Sequence, residues 1–147
     1  MIKKILVAVD GSKHSLKGVE YAAQIAAAMK AAVVLLHVVK QEKLPEGLKA
    51  FAQAEHLLGT DVDLLKKGAQ FLLTGAIDIA RGAGVQDVEI EVAEGPVART
   101  IVAMAESRGM DLIVVGSRGM GDIEGLLRGG VSHRVEILAK CPVLVVK

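Results

Sequence analysis

Aromatic residues are scarce in this chain. Its 147 residues include no Trp, one Tyr and two Phe, although hydrophobic residues make up 52% of the sequence. The apolar content is therefore almost entirely aliphatic, and it predicts a sizeable aliphatic core in one domain spanning residues 1–147. Three aromatic rings are too few for a platform on which bases of a nucleic acid could stack.

Long hydrophobic runs are also absent. The mean hydropathy is +0.44, yet the longest unbroken apolar stretch is the six residues 31–36. A membrane-spanning helix needs about 20 apolar residues, and no signal-peptide apolar region follows Lys3 and Lys4. We therefore expect no membrane insertion and a cytoplasmic location. The single cysteine, Cys141, excludes an internal disulfide and fits a reducing compartment.

The chain shows no excess of charge of one sign. It has 18 Lys and Arg against 17 Asp and Glu, and the two signs are interspersed along the sequence. A DNA-binding protein usually carries a basic stripe, so we predict no nucleic-acid partner. The four histidines lie far apart without zinc-ligand spacing, and no metal-binding residue is predicted.

Two kinds of apolar segment alternate along the chain. Nearly continuous aliphatic runs are typical of strands that are covered on both faces, whereas alternation of polar and apolar residues is typical of an edge strand. Segments with apolar residues at steps of three and four predict helices. The predicted strands are residues 2–9, 32–39, 88–92, 111–115 and 142–146. The predicted helices are residues 16–29, 58–83, 96–108 and a short helix ending near 140.

This alternation of strands and helices predicts an α/β fold. We expect a single doubly wound domain with a five-stranded parallel sheet, strand order 3-2-1-4-5, and helices on both faces. Residues 41–59 are polar and could form a flap near the carboxyl edge of the sheet.

Two loops at the predicted carboxyl edge of the sheet are unusual. One is the Asp10-Gly11-Ser12 turn after the first strand, and the other is the glycine-rich stretch 116–130 after the fourth strand. Ligands of open parallel sheets bind at this edge, and a run of backbone N–H groups that leads into a helix can bind an anion. The chain contains neither G-x-x-x-x-G-K-[ST] nor G-x-G-x-x-G, so a Walker-type loop and a dinucleotide fingerprint are both excluded.

Four segments carry a resemblance to a known family. They are ILVAVDGS at the start, LLHVV in the second strand, DLIVVGSRG around the fourth strand and CPVLVVK at the end. In addition, Gly116, Gly119 and Gly129 match the three glycines of the pattern G-x2-G-x9-G-[ST]. Over nearly its whole length the chain resembles the ATP-binding branch of the universal stress protein family.

The resemblance implies a binding site for ATP, with ADP, AMP and Mg²⁺ as further candidates. Asp10 matches the acid that contacts the adenosine part, Val38 the strand residue whose backbone meets adenine, and Ser132 a hydroxyl near the phosphates. The complete set of candidate site residues is Val9, Asp10, Val38, Gly116, Arg118, Gly119, Gly129, Gly130, Val131 and Ser132.

Residue 130 departs from the family pattern. The pattern requires Ser or Thr, and this chain has Gly130, so one phosphate-binding hydroxyl is missing. A hydrogen bond to a charged group contributes about 1.5–3 kcal/mol, and its loss would weaken triphosphate binding roughly ten- to a hundredfold.

Several function classes stay open at this point. No positioned base stands beside an obvious nucleophile, so no catalytic residue is predicted and a regulatory stress-response module with at most slow ATP hydrolysis is favoured. The alternatives are a true ATPase or adenylate-forming enzyme, and a family member without ATP binding that acts through protein partners. A phospho-receiver is not indicated, because the third strand is followed by Glu94 rather than by an aspartate.

The last predicted strand suggests how the chain assembles. Residues 143–146 are apolar, and an edge strand needs a partner or protection for its backbone groups. The resemblance implies a homodimer in which Val143–Val146 pairs antiparallel with its copy across a two-fold axis. It also implies regulatory protein partners, which the sequence does not identify.

Overall fold

The computed structural model describes residues 1–40, 58–118 and 130–147, and strands alternate with helices along these ranges. The elements are β1 (Lys4–Ala8), α1 (Lys13–Met29), β2 (Ala32–Val39), α2 (Leu58–Gly82), β3 (Val88–Glu94), α3 (Val97–Ser107), β4 (Leu112–Gly116), α4 (Gly130–Leu138) and β5 (Val143–Val146). The predicted flap lies outside the described residues, except for residues 58 and 59, which begin α2.

The five strands form one parallel sheet with the order β3-β2-β1-β4-β5, as predicted. Val7 in the central strand β1 pairs with Leu35 of β2 on one side and with Val114 of β4 on the other. The chain first places β2 and β3 on one side of β1, and it then returns to place β4 and β5 on the other side. The crevice at the carboxyl ends of these two strands is therefore the topological switch point, where open α/β sheets bind their ligands.

Helices cover both faces of the sheet. Because side chains alternate along a strand, Ile5 and Val7 enter the layer beneath α1 and α2, whereas Leu6 enters the layer beneath α3 and α4. Both layers are aliphatic. In the second layer, Ile101 of α3 and Val135 of α4 pack against the sheet. This double cover accounts for the excess of aliphatic residues in the sequence.

The helix ends follow local chemistry. Ser12 is the N-cap of α1, and its side chain accepts a hydrogen bond from the Ser15 N–H. The C-cap of α1 is Lys30, the residue after Met29, and it has a left-handed φ of 54°. Pro96 precedes α3 as its N-cap rather than as its first helical residue, and it provides no side-chain hydrogen bond to the helix.

The long helix α2 is amphipathic. Its inner face buries Ala69, Leu73, Ala76 and Ala80, whereas the Phe71 side chain on the outer face is exposed. Among the elements that the structure describes, no helix has both the length and the apolar character needed to cross a lipid bilayer.

Candidate functional site

The turn after β1 carries the first candidate acid. The Asp10 Oδ1 atom accepts a hydrogen bond from the Ser12 N–H at 2.8 Å, and Gly11 between them adopts a positive φ of 85°. Ser12 in turn caps α1, with 3.1 Å between its Oγ atom and the Ser15 nitrogen. The Asp10 carboxylate is thus held at the carboxyl edge of the sheet, where α1 begins.

His37 holds the backbone immediately before Asp10. Its Nδ1 atom lies 2.6 Å from the Val9 carbonyl oxygen, and because a carbonyl only accepts, Nδ1 carries the proton. The Val9 N–H donates to the Leu36 carbonyl at 2.8 Å, so both polar backbone atoms of Val9 are bound to β2. Val38 is buried in the opposite layer, beneath α3 and α4. The sequence did not place His37 among the candidate site residues.

Gly116 ends β4 in close contact with α1. A Cβ atom at this position would lie 2.9 Å from the His14 backbone carbon and 2.9 Å from the Ser15 nitrogen, closer than real Cβ contacts. The first turn of α1 can therefore approach the end of β4 only because residue 116 has no side chain. This packing requirement applies whatever ligand the site binds.

The two unusual loops are joined directly. The Ser12 hydroxyl donates to the Arg118 carbonyl oxygen at 3.3 Å, and the Ser117 N–H donates to the Val146 carbonyl oxygen at 2.7 Å. Val9, Asp10, Gly116 and Arg118 consequently lie around the switch point. The two other glycines of the family pattern, Gly119 and Gly129, fall outside the described residues.

The start of α4 supplies the remaining candidates. Gly130 is its first residue, and among the described residues no heavy atom outside its own helical turn lies within 4 Å of the position that its Cβ would take. Val131 is 36% exposed, whereas the Ser132 side chain is only 6% exposed. Since α4 connects β4 to the parallel strand β5, it begins at the carboxyl edge of the sheet and runs toward the opposite edge.

A groove of about 840 Å³ lies between α3 and α4 and includes the candidate residue Val131. Its volume is within the range of small-molecule sites, roughly 300–1,000 Å³. The described residues that line it are Lys40, Gly95, Pro96, Val97, Ala98, Arg99, Val131, Arg134, Ile137 and Leu138.

Sequence reasoning missed the three cations of this groove, Lys40, Arg99 and Arg134, because a single Lys or Arg in an amphipathic pattern suggests a solvated surface. One signal could have found Arg99. It lies in the first turn of its helix, although cations are favoured at C-terminal turns.

Two described groups away from this edge have shifted pKa values. Burial raises the pKa of the Cys141 thiol, which makes it a poorer nucleophile at neutral pH. Hydrogen bonds from the Lys3 and Lys4 N–H groups lower the pKa of Asp111 at the amino end of β4. Within residues 1–40, 58–118 and 130–147, no three His, Cys, Asp or Glu side chains are grouped to hold a metal ion.

Comparison with known proteins identifies the family. The model of the universal stress protein family matches residues 1–147. The universal stress protein YxiE of Bacillus subtilis (strain 168) is 36% identical over 149 residues, which cover 100% of each chain.

Solved structures share the fold. A universal stress protein in complex with cAMP aligns with a TM-score of 0.74 and 28% identity, over 99% of this chain and 96% of that one. The hypothetical protein MJ0577 aligns with a TM-score of 0.82 and 27% identity, over 100% and 96% of the two chains. With a family model and a relative that both match its full length, this chain belongs to the universal stress protein family.

Proposed function

We propose that this chain is a cytoplasmic, ATP-binding regulatory module of the stress response with at most slow ATP hydrolysis. The observation that carries the proposal is the likeness to a universal stress protein in complex with cAMP, at 28% identity over 99% of this chain. The candidate residues Asp10 and Gly116 lie at the switch point of the same fold. A cyclic nucleotide and ATP share the adenosine part, which is the part that this crevice would recognise.

The walls of the crevice suit an adenosine group held without aromatic stacking. The Asp10 carboxylate can accept hydrogen bonds from ribose hydroxyls or from the adenine amino group. The backbone at the end of β2, around Val38, would supply N–H and C=O groups, because the Val38 side chain itself is buried beneath α3 and α4. With no Trp in the chain, adenine recognition would depend on these backbone contacts and on aliphatic walls.

The phosphates would lie toward the start of α4. Gly130 presents its backbone there, with no described residue outside its own helical turn within 4 Å of its Cβ position, and Ser132 adds a hydroxyl two residues further along the helix. The described acids are not grouped to hold a cation. A Mg²⁺ ion would therefore be held chiefly by the phosphates and water, and no protein ligand is assigned to it.

Slow hydrolysis follows from the groups available at this edge. Rapid attack of water on a phosphate requires a base or a positioning group beside that water. In the described part of the edge, Asp10 is engaged in the turn that starts α1 and His37 Nδ1 is bound to the Val9 carbonyl. A regulatory module that changes its state with the bound nucleotide fits these groups better than an ATPase with rapid turnover.

A homodimer completes the proposal. β5 is an edge strand that pairs with β4 along one side, and Leu144 and Val145 are half-buried within the single chain. An antiparallel copy of Val143–Val146 would satisfy the outer backbone groups of this strand. Deletion of the last five residues should convert a dimer to a monomer in light scattering; a folded dimer after the deletion would contradict the assembly.

Calorimetric titration with ATP, AMP and cAMP tests the nucleotide site. Asp10→Asn keeps an oxygen that can accept from the Ser12 N–H, so it removes the charge while preserving the turn. We expect it to weaken binding of all three nucleotides about tenfold. Asp78→Asn, on the exposed face of α2, is the matched control and should leave binding unchanged. Wild-type protein that binds none of the three would refute the nucleotide proposal.

A further inference from the structure

The groove between α3 and α4 is lined by cations from three different elements. Lys40 follows β2, Arg99 belongs to the first turn of α3, and Arg134 belongs to α4. No carboxylate is among the described residues that line the groove, and none of its three cations forms an ion pair with a described residue.

The acids nearest to the groove in sequence contact residues outside it. Glu94 pairs with Lys66 of α2 at 3.5 Å, and Glu136 lies 4.0 Å from the His133 Nδ1 atom. Lys40, Arg99 and Arg134 are thus left without an ion-pair partner in the described part of the chain. Such a groove attracts an anion.

Arg134 is placed to act beside the position that lacks a hydroxyl. It lies four residues after Gly130 on α4, and residues at this spacing share one face of a helix. Side chains on a helix lean toward its N-terminus, so Arg134 leans toward Gly130. Among the described residues, no heavy atom outside the first turn of α4 lies within 4 Å of the Gly130 Cβ position, so none of them blocks a phosphate there.

Arg99 approaches the same groove from the opposite wall. It lies in the first turn of α3, where Pro96 provides no side-chain cap. A cation near the N-terminus of a helix is repelled by the helix dipole. An anion bound between Arg99 and Arg134 would offset this repulsion at Arg99, and an arginine pair can bind phosphate oxygens through several parallel N–H bonds.

We propose that Lys40, Arg99 and Arg134 bind the terminal phosphates of a nucleoside di- or triphosphate. Their N–H groups would replace the phosphate hydrogen bond that a hydroxyl at position 130 makes in the family pattern. Because AMP lacks the terminal phosphates, the chain would bind ATP and ADP more tightly than AMP. The inference rests on the proposed nucleotide site and adds to it the residues that select the number of phosphates.

The test compares three probes on one set of variants. ATP, AMP and inorganic tripolyphosphate are titrated into the wild type, into the double variant Arg99→Ala/Arg134→Ala and into the control Arg81→Ala. Arg81 is an exposed arginine in the last turn of α2, on the other face of the sheet. Circular dichroism and the urea midpoint establish that each variant is folded. All three arginines are exposed, so their replacement by alanine is expected to leave the fold intact.

The double variant should lose ATP affinity and tripolyphosphate affinity about ten- to a hundredfold. Its affinity for AMP should change by less than about threefold, and Arg81→Ala should change nothing. Added salt should weaken ATP binding to the wild type more steeply than ATP binding to the double variant.

The outcomes separate the inference from the proposed function. If AMP and ATP lose affinity by the same factor, or if neither changes, the groove does not select phosphates and the inference fails while the nucleotide site stands. If the wild type binds tripolyphosphate through Arg99 and Arg134 but binds no adenine nucleotide, the proposed function fails and the anion groove stands. Binding of none of the three probes refutes both.

Discussion

The Ser12 hydroxyl donates a hydrogen bond to the Arg118 carbonyl oxygen at 3.3 Å, and this contact joins residues 106 positions apart in the chain. The same hydroxyl caps α1 by accepting from the Ser15 N–H. One small side chain thus stabilises the start of a helix and the geometry of the loop that would receive the nucleotide.

Replacing Ser12 with alanine should affect both stability and binding. The loss of an N-cap costs about 1 kcal/mol of unfolding free energy, and release of the Arg118 carbonyl should weaken ATP binding several-fold. Urea denaturation and calorimetric titration measure the two effects. Ser107→Ala removes an exposed serine whose hydroxyl donates to the Met104 carbonyl, and it serves as the control. Equal effects of the two substitutions on ATP binding would show that the link to Arg118 is unimportant.

Adding a single methyl group at Gly116 should destabilise the fold. In Gly116→Ala the new Cβ would lie 2.9 Å from the backbone of His14 and Ser15, so α1 must shift, at a cost of about 1–3 kcal/mol. Gly75→Ala is the matched control, because Gly75 lies inside α2 with nothing within 4 Å of its Cβ position. We expect that control to raise the free energy of unfolding by about 0.5–1 kcal/mol. Opposite signs in urea denaturation would support the packing argument, and a neutral Gly116→Ala would contradict it.

Restoring the hydroxyl at position 130 should tighten ATP binding. The new side chain in Gly130→Ser would meet no described residue outside its own helical turn within 4 Å of its Cβ. One hydrogen bond to a phosphate corresponds to about a tenfold gain in affinity. Gly130→Ala occupies the same space without a hydroxyl and separates the hydrogen bond from the loss of glycine. Calorimetry in which serine and alanine have the same effect would count against the alignment of this loop with the family pattern.

Asp111 should make stability depend on acid pH. Its Oδ2 atom accepts from the Lys3 and Lys4 N–H groups at 2.8 and 3.0 Å, and these bonds lower its pKa. A carboxyl whose pKa is lower in the folded state stabilises the fold above the unfolded pKa of about 3.9. That contribution is lost as the pH falls through the folded pKa.

Asp111→Ala should therefore reduce the free energy of unfolding at pH 7, and the difference from the wild type should shrink below about pH 4. Urea denaturation at several pH values between 7 and 2.5 measures this difference. Asp78→Ala, on the exposed face of α2, controls for the loss of one surface charge. A difference between wild type and Asp111→Ala that stays constant over this pH range would rule out the carboxylate as its cause.

Most strands were predictable because they are aliphatic runs that only a doubly covered sheet can bury, and the third because polar and apolar residues alternate along it. The predicted bounds of the second strand, 32–39, are those of β2, whereas other strand boundaries differ. Residues 2–9 were predicted as the first strand, and β1 spans Lys4–Ala8, because the Lys3 N–H is bound by the Asp111 side chain rather than by a neighbouring strand. The alternation of Val88, Ile90 and Val92 located the third strand, and β3 reaches Glu94 because Val38 and Val39 of β2 pair with Ala93 and Glu94.

The candidate site was predictable only where a residue pattern pointed to it. Asp10 and Gly116 could be named from their positions after strands. The bond between His37 and Val9, and the groove shared by Lys40, Arg99 and Arg134, depend on which elements become neighbours in space. No local pattern distinguishes an arginine that lines such a groove from one that is merely solvated.

The packing of Gly116 against α1 changes how the family's glycine pattern should be interpreted. A relative that had lost its nucleotide would still need glycine at this position, because the constraint comes from the backbone of His14 and Ser15. At Gly130, no described residue outside its own helical turn lies within 4 Å of the Cβ position. The glycine at 116 is therefore required for packing against α1, in addition to any contact that it makes with a ligand.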